Sequence, residues 1–203
     1  MDDGLSGEFN QVSYTTNSLT QITVRNLTSG RAYRFKVMGA NFNQISPFSN
    51  IVSFYACQAP SGLSSPVFVS NSANKMNLMW SEPSENGGCP ILSYHLMRDN
   101  GITGTPNIEV NSPNDVNVRN IPTLRSLDVL LDVNTKGRMY TFQLFVSNRE
   151  GTSHSQEISY LYASNPEAPS VAPYVLEYSS TSCTASYLYT DNNGGSDILS
   201  YNL

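Results

Sequence analysis

Apolar and polar residues alternate over short stretches of this chain, which is the period of a strand with one face buried. Tyr33, Phe35 and Val37 form one such face, and Met76, Leu78 and Trp80 form another. Tyr140, Phe142, Leu144 and Val146 form a third. No stretch keeps a helical period. Turn-forming groups separate the runs: Thr28-Ser29-Gly30, Asn86-Gly87-Gly88, Asp99-Asn100-Gly101, Thr135-Lys136-Gly137 and Asn193-Gly194-Gly195. Many short strands with frequent turns predict an all-β protein built of sandwiches.

The pattern also repeats. Gly30-Arg31-Ala32-Tyr33-Arg34-Phe35-Lys36-Val37 returns as Gly137-Arg138-Met139-Tyr140-Thr141-Phe142-Gln143-Leu144, 107 positions later. Asn86-Gly87-Gly88-Cys89-Pro90-Ile91-Leu92-Ser93-Tyr94 returns as Asn193-Gly194-Gly195-Ser196-Asp197-Ile198-Leu199-Ser200-Tyr201 at the same spacing. Two independent pairs with one period predict tandem modules. The 203 residues are fewer than two periods, so the chain is expected to hold the end of one module, a whole second module and the start of a third.

Composition narrows the function. Charged residues make up 13% of the chain, with 11 Lys and Arg and a net charge of −5. A nucleic-acid partner needs a basic stripe for phosphates, and the sequence offers none. The surface is instead expected to be Ser, Thr and Asn, which solubilise weakly and permit self-association. No window approaches the roughly 18 consecutive apolar residues of a spanning helix, so no membrane segment is expected in this chain. Met1-Asp2-Asp3-Gly4 lacks the basic start and apolar core of a signal peptide. The repeat places that point inside a module, so this decides nothing about secretion.

The residues carrying the pattern resemble the fibronectin type III family. Ala59-Pro60-Ser61-Gly62-Leu63 resembles the opening of such a module, and Trp80 with Ser81-Glu82-Pro83 resembles its second strand. Gly87-Gly88 leads into a third strand with Ile91 and Tyr94, and Tyr140-Thr141-Phe142 with Asn148 resembles the F strand. The resemblance implies tandem immunoglobulin-like β-sandwiches, the first and last incomplete. Residues 1–57 would supply strands C′ to G of one module, 58–164 a complete module, and 165–203 strands A to C of a third. It implies a core of Trp80, Tyr94, Tyr33, Tyr140, Tyr187 and Tyr201. Tyr33 and Tyr140 match the family's tyrosine corner, whose hydroxyl bonds backbone. Tyr187 stands where Trp80 stands, which points to a shallower third core. Cys183, matching Met76, is expected to be buried and unpaired. Pro166, Pro169 and Pro173 stiffen one junction and the other is short, so a semi-rigid rod is expected.

Candidate chemistry is sparse. His95 and His154 are the only histidines, and no nucleophile elbow, Cys-His pair or phosphate loop appears. Asp191 to Asp197 partly matches a calcium loop, but Gly195 falls on a position that needs a side-chain oxygen. A plain Gly-rich turn is the preferred reading. No catalytic residue, metal or cofactor is therefore expected, and the chain is expected not to be an enzyme. Asn26-Leu27-Thr28 is a candidate N-glycosylation site. The F–G loop residues Asn148, Arg149 and Glu150 are a candidate protein-binding loop, with solvated loop charges as the plain alternative. The family's Arg-Gly-Asp triplet is absent.

In the family's topology the B–C loop and the module's N-terminus share one pole. A disulfide between Cys57 and Cys89 is therefore a candidate, against two free thiols. The positions 107 later, Ser164 and Ser196, are both serine, so the cysteines are present and absent together. On the same arithmetic residue 203 matches 96 and residue 1 matches 108, so the chain ends would form one module lacking the loop from Met97 to Asn107. Neighbouring copies are then expected to complete each other. The sequence reads as a structural or adhesive protein with protein partners. A receptor ectodomain using its B–C and F–G loops and an intracellular cytoskeletal or ciliary filament scaffold stand as alternatives. An extracellular or cell-surface location is favoured over the intracellular one.

Overall fold

In a computed structural model of the chain, residues 1–12, 20–72, 74–110 and 120–202 are described. The strands among them are β1 (Ala32–Phe35), β2 (Val52–Tyr55), β3 (Val67–Asn71), β4 (Lys75–Met79), β5 (Ser93–Arg98) and β6 (Ile108–Glu109). They continue as β7 (Ser126–Leu130), β8 (Met139–Asn148), β9 (Gly151–His154), β10 (Ile158–Leu161), β11 (Tyr174–Tyr178) and β12 (Cys183–Ser186). One 3-10 turn, Val133–Thr135, is capped by Asp132, which accepts a hydrogen bond from the Asn134 amide.

Two sheets form a sandwich. One has the order β3-β4-β7; the other has the order β10-β8-β5-β6, with β9 also paired to β8. β3, β4 and β7 thus face β5, β6, β8, β9 and β10, which is the immunoglobulin-like arrangement. The alternation read from the sequence sets the inward face. Along β8, Tyr140, Phe142, Leu144, Val146 and Asn148 are buried while their neighbours are only partly so. Met76, Leu78, Trp80 and Val129 meet Tyr94, Leu96 and Tyr162 in the same core. The Trp80 and Tyr94 rings lie 6.1 Å apart.

The chain divides into two compact units. The first comprises Met1–Leu63, Pro83–Ser93 and Val146–His154; the second comprises Ser64–Glu82, Tyr94–Phe145 and Ser155–Leu203. In the first unit β1 and β2 form a hairpin with Tyr33 opposite Phe54. In the second unit β11 and β12 form another, with a bulge between Val175 and Glu177.

Local geometry corrects the expected alignment at the N-terminal end. The Asp2 amide donates to the Arg34 carbonyl at 3.2 Å, as the Asp99 amide does to Thr141 at 3.0 Å. The Asn10 amide donates to Met1, as Asn107 does to Arg98. Gly4 lies against Arg31 and Tyr33, as Gly101 lies against Arg138 and Tyr140. Residues 1–10 therefore occupy the places of 98–107, an offset of 97. The turn expected to be missing is present, built from Asp2-Asp3-Gly4 in place of Asp99-Asn100-Gly101. Leu203, matched to Leu96, lies outside the described residues, as do 13–19 in the stretch assigned to strands C′ to E. No strand forms among the described residues of 20–31. The corresponding β7 needs β4 as its neighbour.

The expected core is corrected as well. Trp80, Tyr94, Tyr33 and Tyr140 are buried, but Tyr187 and Tyr201 are 42% and 38% exposed. Their rings still pair, at 5.4 Å. Cys183 is free but exposed, not buried. The reason is common to all three. Met76, Leu78 and Trp80 are covered by β5 and β8, and among the described residues β12 has only β11 as a sheet neighbour.

Candidate interaction site around Cys57 and Cys89

Cys57 follows β2, and Cys89 ends the Asn86-Gly87-Gly88 turn. They are joined by a disulfide, with Cα atoms 5.7 Å apart, inside the usual range for such bonds. Both cysteines belong to the first unit, where the bond is one strand of a dense contact set. The Gln58 amide donates to the Gly87 carbonyl at 2.9 Å, and Ser61 and Glu85 exchange amide-to-carbonyl bonds at 2.9 and 3.2 Å. The Ser29 hydroxyl donates to the Gly87 carbonyl. A methyl added to Gly30 would lie 3.0 Å from the Gly88 carbonyl oxygen. Gly87, at φ +73, has no room for a Cβ, which would collide with the Gln58 carbonyl.

Asn148 closes this set. Its Nδ2 donates to the Gln58 carbonyl at 2.7 Å and to the Asn86 carbonyl at 2.9 Å. Its Oδ1 accepts from the Glu150 and Gly151 amides at 2.9 and 3.2 Å. The side chain is 6% exposed. Every hydrogen-bonding group of that amide is therefore spent inside the protein, which removes Asn148 from the candidate binding loop and makes it a structural tie. Arg149 is also engaged: its Nε lies 3.1 Å from Glu150 Oε1, and its guanidinium lies 4.7 Å from the Tyr55 ring centre. The sequence signal was present, since Asn followed by a turn is a common way to cap backbone amides. The two carbonyl acceptors, 90 and 62 residues away, were not visible.

The second unit repeats the set. Ser164 donates to the Gly194 carbonyl at 2.8 Å and Glu167 to the Asn192 carbonyl at 3.0 Å. Gly137 and Gly195 take the places of Gly30 and Gly88, with a Cβ on Gly137 reaching 3.5 Å from the Gly195 carbonyl oxygen. Ser164 is thus the counterpart of Gln58, and Ala163, not Ser164, is the counterpart of Cys57. The offset is 106 here because the turn after β1 is one residue longer. Ser49 bonds Val37 as Ser155 bonds Leu144, while Asn41 and Asn148 each cap the amides two and three residues on.

The remaining candidates are dispersed. Asn26 is exposed with φ +60, a left-handed conformation that Asn tolerates. Tyr33 accepts the Thr28 amide at 2.8 Å, as a tyrosine corner does; Tyr140 instead donates to the Thr135 hydroxyl at 2.8 Å. His95 Nδ1 lies 3.1 Å from Glu109. In the Asp191 to Asp197 turn, Asn192 and Asn193 oxygens accept the Gly194 and Gly195 amides, both at 2.9 Å. Among the described residues no group of three or more His, Cys, Asp or Glu is placed to hold a metal, and no helix is long and apolar enough to cross a membrane. Asp2 is buried and ion-paired to Arg34 at 2.7 Å. The Arg34 amide, and then its guanidinium, hold the Asp2 carboxyl below the usual carboxylate range.

These sheets define an all-β fold with an immunoglobulin-like strand arrangement. The chain is 30% identical over 106 residues to fibronectin type-III domain-containing protein 3a of Gallus gallus, covering 51% of this chain and 9% of that protein. The chain thus spans about a tenth of the curated relative's length. It is similar to domains A168–A170 of titin at 16% identity, with a TM-score of 0.47 over 73% of this chain and 50% of that one. It is also similar to domains d3–d4 of the rat CD45 extracellular region at 15% identity, with a TM-score of 0.43 over 76% of each chain. No family model matches the sequence.

Proposed function

We propose that this chain is a non-catalytic structural or adhesive segment whose fibronectin type III modules, 1–57, 58–164 and 165–203, are joined into a semi-rigid rod. The observation that carries this reading is the recurrence of one contact set. Gly30, Gly88, Gln58 and Gly87 in one unit have Gly137, Gly195, Ser164 and Gly194 as counterparts in the other. A loose linker would have no reason to reproduce backbone bonds about 107 residues apart. Each set ties the strand leaving one module to the B–C loop of the next, which limits swinging at the joint. The Cys57–Cys89 bond supports an oxidising, extracellular or cell-surface location. The closed F–G loop favours a spacer over a receptor that binds through that loop.

Small-angle X-ray scattering at low concentration tests the rod. The expected radius of gyration is well above the roughly 17 Å of a compact globule of this length. A value near 17 Å would refute it.

A further inference from the structure

Asn26-Leu27-Thr28 is the one triplet of the form Asn-X-Ser or Asn-X-Thr in the chain, the acceptor pattern for N-linked glycans. It lies in the turn before β1. Asn26 has φ +60, and both Asn26 and Thr28 are exposed, with Leu27 half-buried between them. The complete module shows that this place stays open when a sandwich is whole: Val133, in the place of Asn26, is 49% exposed, and Asn134 is exposed as well. The two turns differ at the threonine hydroxyl. Tyr140 donates to Thr135 Oγ1 at 2.8 Å, and that hydroxyl donates in turn to the Asp132 carbonyl at 2.6 Å. In the first unit the Thr28 amide, not its hydroxyl, serves Tyr33, at 2.8 Å. Arg25 stands in the place of Asp132. The Thr28 carbonyl accepts the Arg31 amide, as the Thr135 carbonyl accepts the Arg138 amide. The corner at Tyr33 is thus built on the Thr28 backbone, and the side chains of Asn26 and Thr28 remain at the surface.

We propose that Asn26 carries an N-linked glycan, with the Thr28 hydroxyl as the second recognition element. The inference rests on the extracellular reading above, because the modification belongs to the secretory pathway, where the Cys57–Cys89 bond also forms. The co-reactant is an oligosaccharide carried on a lipid diphosphate. Asn26 Nδ2 bonds to the anomeric carbon of the sugar as the bond from that carbon to the diphosphate oxygen breaks. The lipid diphosphate leaves with the electron pair, and Nδ2 gives up one proton to a base of the transferase. Nothing is oxidised or reduced. The acceptor turn is the one that reaches the joint, since the Ser29 hydroxyl donates to the Gly87 carbonyl at 3.2 Å. The glycan therefore stands beside the joint, a bulky hydrated group on a chain with few charges of its own.

Two preparations test this: the natural protein from its source, and this chain directed into the secretory pathway of a eukaryotic cell by an added signal sequence. Each is treated with peptide N-glycosidase in heavy-oxygen water, which turns a glycosylated asparagine into a labelled aspartate, and is then cut with trypsin. Arg25 and Arg31 flank the site, so it is read in one peptide, residues 26–31, which holds a single asparagine. That peptide is expected to carry the label in both preparations. In the directed chain Thr28→Ala is expected to lose the label and Thr28→Ser to keep it. Both keep the backbone amide that serves Tyr33, and the fluorescence of Trp80, the single tryptophan, reports that each is folded. An unlabelled peptide in either preparation would overturn the proposal, and so would a label that survives Thr28→Ala. The cysteines of the natural protein separate the two ways of failing. An unlabelled protein with the Cys57–Cys89 bond intact refutes this inference alone, whereas one with both thiols reduced refutes the extracellular reading with it.

Discussion

Asn148→Ala is expected to destabilise the fold well beyond an ordinary loop substitution. The amide makes four hydrogen bonds, two given to the Gln58 and Asn86 carbonyls and two accepted from Glu150 and Gly151. A typical bond contributes about 1 kcal/mol net, and a buried group left without its partner costs about 1 to 3 kcal/mol. Both carbonyls and both amides are only part-buried, so water recovers some of the loss. The expected cost is about 3 kcal/mol, or roughly a hundredfold in the folding equilibrium. Urea unfolding followed by Trp80 fluorescence measures it, and hydrogen exchange at the Glu150 and Gly151 amides locates it. Asn148→Asp is the informative partner. It keeps an acceptor for the two amides but points a carboxylate at two carbonyl oxygens, so it is expected to be no milder. Arg149→Ala and Glu150→Ala, which remove a half-exposed ion pair, are expected to shift stability by less than about 1 kcal/mol. An Asn148→Ala chain within about 0.5 kcal/mol of the parent would refute the tie.

Removing the disulfide by Cys57→Ser with Cys89→Ser is expected to cost about 3 to 4 kcal/mol by loop-closure entropy over a separation of 32 residues, while the Trp80 and Tyr94 core stays packed; denaturation and near-ultraviolet dichroism check both halves of that statement. Tyr140→Phe loses the bond to Thr135 and is expected to cost about 1 kcal/mol in the same unfolding assay. Asp2 is expected to titrate below a free aspartate, because Arg34 favours its ionised form. The stability it adds is therefore in place above the unfolded value of about 4 and is lost as pH falls toward its lower folded value. A carboxyl-carbon titration by magnetic resonance with a midpoint at or above about 4 would contradict this.

Much of the fold was legible because strand alternation depends on burial, which a sequence pattern records directly. Tyr140, Phe142 and Leu144 are read inward from their spacing alone, and the glycine-rich turns mark the joints. Ungapped arithmetic fails where the copies differ in length. It pairs Cys57 with Ser164 when backbone bonds pair it with Ala163, because one turn carries an extra residue. It reports a missing turn when Asp2 and Gly4 already build it. The exposure of Cys183, Tyr187 and Tyr201 was hidden for a different reason. A strand pattern says which face wants cover, not whether the covering strands are present. The role of Asn148 was hidden because two of its partners are distant in sequence, and no local pattern encodes them.

The account stands most directly on the recurrence of the joint, and amide hydrogen exchange tests it residue by residue. The Gln58 and Ser61 amides in one unit, and the Ser164 and Glu167 amides in the other, each donate to a carbonyl of the following glycine-rich turn. All four are expected to be protected, including the pair with no disulfide beside it. Gly87→Ala is expected to release Gln58 and Ser61 only, and Gly194→Ala to release Ser164 and Glu167 only. Protection confined to the disulfide-bonded pair would contradict the central claim.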